Sequence, residues 1–305
     1  GGQGTGAAAS QEAAQEAQTG EAGGEQSEEA DGDELTGTDA PEASKPEEGT
    51  QLDPGFSVES GSIPEITIEA KQIPDKECFR FVKDMKTGWN LGNTLDAYSQ
   101  GKMYGDDISS EEIWGNPVTT KEMIDTLKNT GFRTVRIPVT WHNHVTDDGN
   151  GPVISEAWLD RVQEVVDYAY DNGMYVILNT HHDNTANIEG EGGYYPDTAH
   201  AEESDRYIRG IWTQVAERFK DYDEHLIFES LNEPRLAGTD YEWNFNAGVA
   251  ECKDAAGSIN RLNQLFVDTV RATGGNNVER YLMMPGYDAS LAGAITDLYQ
   301  LPNDI

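Results

Sequence analysis

Five apolar runs of strand length recur along the chain with amphipathic stretches of helix length between them, and that alternation narrows the fold further than any other feature. The runs are Trp89–Leu95, Thr134–Val139, Tyr175–Asn179, Leu226–Leu231 and Tyr281–Met284, and the stretches cover roughly 119–130, 155–172, 203–221 and 257–273. Strands that alternate with helices in this way stack as βα units on a parallel sheet, so the expected fold class is α/β. Thr119 and Ser155 are placed to cap helix N-termini. Gly131, Gly173 and Gly274 fall just past helix ends, where a left-handed backbone is wanted. Five strands suffice for a doubly wound sheet, whereas a (β/α)8 TIM barrel needs eight and about 250 residues. The 233 residues from 73 to 305 supply about five βα units of such a barrel, and the chain is expected to stop short of the other three.

Residues 1–50 read differently. Leu35 is their one large apolar residue, and they hold 13 acidic residues against one Lys, so −12 of the net charge of −35 sits here. A segment of that composition buries too little apolar surface to offset its ordering entropy. A disordered acidic tail is expected, acting as a cell-surface tether or as a solubilising spacer. Residues 51–72 are transitional, with a short strand expected at Ile66-Thr67-Ile68, and 73–305 form the α/β domain. The start at Gly1 is read as a processed or trimmed end. The acidity disfavours nucleic acid and anionic membranes as partners, because phosphate binding calls for Lys/Arg stripes. A neutral polymer suffers no such repulsion. No stretch reaches the roughly 18 apolar residues of a membrane span. Cys78 and Cys252 lack CxxC spacing and are expected as unpaired thiols, supporting neither a zinc nor a redox centre.

Polar groups stand at the C-terminal end of every expected strand, the end that builds the site in a barrel. They are Asn93 and Asp96, Arg136 followed by Trp141, His181-His182-Asp183, Asn232-Glu233, and Tyr287-Asp288. In Leu231-Asn232-Glu233-Pro234 an apolar strand delivers a carboxyl to that edge, and Pro234 ends the strand by removing a backbone donor. Partial desolvation there would suit Glu233 to hold a proton and release it near neutrality. The Asn232 amide can donate to a sugar 2-hydroxyl, a contact that strengthens as positive charge develops at the anomeric carbon. Alternation along the strand should keep His181 and His182 from facing one atom, so no metal is expected at His181-His182-Asp183. Flat sugar faces stack on indole rings. Trp89, Trp141 and Trp243 are candidate platforms, with Trp114 more distal, while Trp158 and Trp212 lie within helices and belong to the core.

The segments Gly88-Trp89-Asn90-Leu91-Gly92-Asn93-Thr94-Leu95-Asp96, Thr134-Val135-Arg136-Ile137-Pro138-Val139, Val176-Ile177-Leu178-Asn179-Thr180-His181-His182 and Leu226-Ile227-Phe228-Glu229-Ser230-Leu231-Asn232-Glu233-Pro234 closely resemble glycoside hydrolase family 5. Within it they are similar to bacterial endo-β-1,4-glucanases and xyloglucanases. The resemblance implies hydrolysis of internal β-1,4 bonds in plant cell-wall polysaccharide with retention of configuration. The alternatives are a mannanase or xylanase of the same family, or a non-catalytic carbohydrate-binding fragment. It implies a secreted or cell-surface bacterial enzyme, monomeric, with a polysaccharide partner and no cofactor. Glu233 would be the acid/base, Asn232 would hold the 2-hydroxyl, Arg136 would brace the nucleophilic carboxylate, and His181 would be the family's active-site histidine. His182, Asn93, Trp89, Trp141, Trp243 and Tyr287 are taken as substrate contacts. A retaining enzyme needs a second carboxyl about 5–5.5 Å from the first. The family's nucleophile follows strand seven, which is expected to lie past Ile305. Neither Glu229, expected as a buried mid-strand hydrogen-bonding residue, nor Asp288 takes its place. The 305-residue chain alone is accordingly expected to be inactive, with an open sheet edge prone to aggregation.

Overall fold

The computed structural model describes residues 75–304. The acidic tail and the segment containing Ile66-Thr67-Ile68 lie outside the described residues. From Asp75 onward the elements are α1 (Glu77–Met85), β1 (Gly88–Asn90), α2 (Lys121–Asn129), β2 (Thr134–Ile137), β3 (Val145–Asp147), β4 (Pro152–Ile154), α3 (Glu156–Tyr170), β5 (Tyr175–Asn179), α4 (Ala201–Arg218), β6 (Leu226–Glu229), α5 (Ala250–Ala272), β7 (Leu282–Met283) and α6 (Leu291–Ala294).

Five strands form one parallel sheet in the order β1-β2-β5-β6-β7. Each new strand is laid beside the previous one, always on the same side. A doubly wound sheet reverses direction at a switch point, and this sheet does not. The arrangement is that of five consecutive strands of a (β/α)8 barrel.

The period-two alternation of the strands sorts side chains into two layers. Val135, Ile137, Val176, Leu178, Leu226 and Phe228 face the helices and pack with Ile124, Trp158, Val162, Trp212 and Phe266 in the main core. The other face carries Tyr175, Ile177 and Ile227, closed from below by Phe81 and Met85 of α1, with Phe81 stacked on Tyr281 at 3.8 Å. Two residues further along that face the character changes to Asn90, Arg136, Asn179 and Glu229. Hydrophobic plug and polar rim thus lie on the same strands, one pleat apart.

The helix boundaries follow the expected chemistry with one shift. Ser155 Oγ accepts from the Trp158 amide at 3.3 Å, and Gly131, Gly173 and Gly274 all take positive φ. At α2 the cap is Thr120, whose Oγ1 accepts from Met123 N; Thr119 instead donates its amide to Glu111. The strands are shorter than their apolar runs. β1 ends at Asn90 because the chain turns at Asn93, in left-handed conformation, and the Thr94 amide closes on Asp96. β2 ends before Pro138, which offers no amide to the ladder. The antiparallel β3–β4 hairpin was not anticipated; Asp147 Oδ1 accepts from the amides of Gly149 and Gly151 across its turn. Among the described residues no helix is long and apolar enough to cross a membrane. Both cysteines are free thiols.

Candidate active site

Arg136 is the centre of the polar rim. Its Nε and Nη2 donate to the two oxygens of Glu229 at 2.6 and 2.7 Å, its Nη2 also to Asn232 Oδ1 at 2.8 Å, and its Nη1 to Asn90 Oδ1 at 2.8 Å. The guanidinium therefore clamps two strand ends, β1 and β6, and the Asn232 turn that follows β6, to β2. A bidentate fork on a carboxylate is the strongest geometry this side chain makes. Glu229 is nearly buried, as a mid-strand hydrogen-bonding residue should be. Asn232 Oδ1 is committed to Arg136, so its Nδ2 hydrogens are left to face the rim.

Glu233 follows directly. Its side chain is 41% exposed, and its one described polar contact is Arg235 Nη1 at 3.5 Å. The carboxyl is thus partly buried just past the end of β6. Arg235 also donates to the Glu233 carbonyl and to Glu242, and its guanidinium lies 4.1 Å from the centre of the Trp243 ring. Trp243, 59% exposed, is thereby held open at the rim beside Glu233.

The two adjacent histidines overturn an expectation. His181 Nε2 and His182 Nε2 both approach Asp96 Oδ2, at 3.9 and 3.6 Å. Strand alternation does not reach them, because β5 ends at Asn179 and residues 180–182 leave the strand path. Burial, and then the neighbouring His182, push His181 down to about 3, so its imidazole stays neutral. Burial alone would raise Asp96, but hydrogen bonds from His182 and the Thr94 amide outweigh it and hold the carboxyl below its usual range. Around His182 stand Trp114 at 5.4 Å and Tyr98 at 5.8 Å between ring centres, and Trp114 Nε1 donates to the Tyr98 carbonyl.

Three expected substrate contacts are corrected. Trp141 is fully buried, its Nε1 donating to the Asn179 carbonyl at 2.9 Å and its amide to Asp183. The chain turns inward after β2 and carries the ring into the core. Trp89 registers with Val135, which faces the helices, and meets Phe132 edge-on at 5.7 Å; alternation places it on the face opposite Asn90 and Arg136. Tyr287 is buried too. Its hydroxyl donates to the Tyr241 carbonyl and accepts from the Leu236 amide, which ties down the loop after Glu233. Asn93 is exposed on its left-handed turn and keeps its place at the rim. Trp158 and Trp212 are core residues, as expected.

Sequence reasoning missed the support beneath the rim. Asp183 Oδ1 accepts from the amides of Trp141 and His142 and from Tyr207 Oη. His142 lies between Asp183 and Glu191, at 3.3 and 3.2 Å. Burial opposes a charge on it, but the two carboxylates win and raise its pKa. Glu191 also accepts from the Gly101 amide, and so the loop after β5 is bound to the loop after β1. Only the adjacency of Asp183 to the histidine pair hinted at this in the sequence.

Residues 95–304 match the model of the cellulase family, glycosyl hydrolase family 5. Over 233 residues the chain is 48% identical to endoglucanase A of Ruminococcus albus, covering 76% of this chain and 59% of that protein. Over 246 residues it is 46% identical to endoglucanase A of Clostridium longisporum, covering 80% of this chain and 44% of that one. Among solved structures, a family 5 lichenase from Caldicellulosiruptor sp., in complex with cellotetraose, superposes with a TM-score of 0.73 at 53% identity, over 79% of this chain and 63% of that one. The chain spans about half the length of these curated relatives.

Proposed function

The chain belongs to glycosyl hydrolase family 5, and from that premise we propose that the protein carrying it hydrolyses internal β-1,4-glycosidic bonds in cell-wall β-glucans, with retention at the anomeric carbon. Cellulose, mixed-linkage β-glucan and xyloglucan are the substrates in view. Glu233 donates a proton to the departing glycosidic oxygen and then takes one from the water that completes the reaction. Asn232 Nδ2, turned outward by the Arg136 fork, donates to the sugar 2-hydroxyl. Arg136 keeps one Nη1 hydrogen without a partner among the described residues, and we assign it to the second, nucleophilic carboxylate. That carboxylate belongs to the share of the family fold outside the matched span. Trp243 and the Trp114–His182 edge supply the walls that sugar rings stack on. A polymeric substrate places the enzyme outside the cell or on its surface, and the acidic tail is then a tether or spacer.

The observation that carries this reading is the Arg136 node, which joins Asn232, next to the half-exposed Glu233, to the ends of β1 and β6. The test is a polysaccharide panel of barley β-glucan, carboxymethyl-cellulose, xyloglucan, mannan and xylan, applied to this chain joined to the part of the family fold that holds the nucleophile, with the first-formed anomer read by proton NMR. Release of the β-anomer from a glucan is expected. First release of the α-anomer would overturn retention, and hydrolysis of mannan or xylan alone would replace the substrate. No hydrolysis of any member would remove the proposal.

A further inference from the structure

We propose that Asn179 is a positioning residue: it locks His181 as the tautomer with its proton on Nε2, so that the ring presents a hydrogen-bond donor to the rim and no metal-binding lone pair. One group in this arrangement has no choice of role. The backbone N–H of Val139 can only donate, and it meets Asn179 Oδ1 at 3.2 Å. Asn179 is fully buried, so no solvent competes for either end of its amide. With Oδ1 turned to Val139, the amide nitrogen faces His181 Nδ1 at 3.1 Å. An amide nitrogen carries only hydrogens to offer, so Nδ1 must accept and the proton of the imidazole goes to Nε2. Turning the amide over would set two donors against each other at Val139 and is excluded on the same ground.

Two further contacts hold the relay in place. The His181 amide donates to the Val139 carbonyl at 2.8 Å, and the Asn179 carbonyl accepts from Trp141 Nε1. On the far side of the ring, Asp96 is an acceptor facing Nε2, which favours the same tautomer. Asp96, His181 and His182 bring their ligand atoms within 4.8 Å of one another, a spacing that invites a metal reading. A histidine that binds a metal through Nε2 donates its Nδ1–H to an acceptor behind it. Here the group behind it is a donor, so the trio does not fit a metal. The Nε2–H is left for an oxygen of a bound sugar, an assignment that rests on the proposed glycan hydrolysis; the tautomer does not.

The test is a long-range proton–nitrogen correlation spectrum of the full chain with nitrogen-15 in its six histidines, the His181 signals being identified by their loss in His181→Gln. The Nε2-protonated pattern is expected, unchanged between pH 5 and pH 8. Asn179→Asp keeps an acceptor for Val139 and gives Nδ1 a carboxylate to donate to, so its His181 should convert to the Nδ1-protonated or doubly protonated pattern. A wild-type His181 protonated on Nδ1, or charged at pH 7, would overturn the proposal, as would an unchanged pattern in Asn179→Asp. Should that variant fail to fold, the wild-type spectrum alone decides. On whichever glycan the panel identifies, Asn179→Asp should lower kcat about tenfold, the scale of one hydrogen bond, with less effect on KM. A protein that hydrolyses no glycan would sink the function and leave the tautomer standing.

Discussion

Arg136 and Glu233 occupy the same rim and are held in opposite ways. Arg136 has four hydrogen bonds in a nearly enclosed setting, whereas Glu233 has one long contact and much of its surface in solvent. Their substitutions should therefore separate. Arg136→Met leaves the nearly buried Glu229 carboxylate without its counter-ion, at a cost of about 3 kcal/mol. A lowered urea midpoint would register it, and an unchanged midpoint would show that Glu229 finds another partner. In the proposed mechanism Glu233→Gln removes the proton donor and little else. Hydrolysis should fall about a thousandfold, the usual scale of general acid catalysis, while the urea midpoint stays where it was. Loss of stability in this variant would mean that the carboxylate has a structural role after all.

At the level of elements, the site depends on loops fastened by buried histidines. His144 sits where the turn after β2 meets α3. It stacks on Trp158 at 3.8 Å, its Nδ1–H donates to the Gly105 carbonyl, and its Nε2 accepts from Ser110 Oγ. Burial lowers its pKa to about 4, below the value near 6.5 of an unfolded histidine. Between those values the unfolded chain binds a proton that the folded one refuses. The stability contributed is therefore full above pH 6.5 and is lost as the pH falls towards about 4. His181, lowered in the same sense, adds to the loss. His144→Phe keeps the stacking and cannot take the proton, so its melting temperature should drop less than that of the wild type between pH 7 and pH 5. An equal drop would place the acid sensitivity elsewhere.

For the whole molecule, the net charge of −35 should act on substrate choice in the proposed reaction without touching the groups assigned to catalysis. An anionic polymer is repelled at low ionic strength and a neutral one is not. KM for carboxymethyl-cellulose should fall as salt is added, while KM for neutral β-glucan stays flat. Parallel changes for both polymers would show that the charge is too far from the groove to matter. The two edges of the described sheet belong to the same scale. β7 is a two-residue strand, with Met283, Leu291, Ile295 and Leu301 exposed on it and in the residues that follow.

What the sequence alone determined is whatever follows from periodicity and strand-end chemistry. The alternation of apolar runs located all five parallel strands and the helices between them, and the glycines past the helix ends marked where the backbone turns left-handed. Arg136, Asn232 and Glu233 were legible because each stands at or beside a strand end, where a polar residue has no packing role to fill. Tertiary structure decided the rest, because direction is lost once a strand stops. His181 and His182 converge on Asp96 only because the chain leaves the ladder after Asn179. Trp141 and Tyr287 turn into the core for the same reason, and Trp89, still within its strand, falls on the outer face by register. A two-residue period reads which face a side chain takes inside a strand. Past its end, only the contacts of neighbouring loops say where the side chain goes.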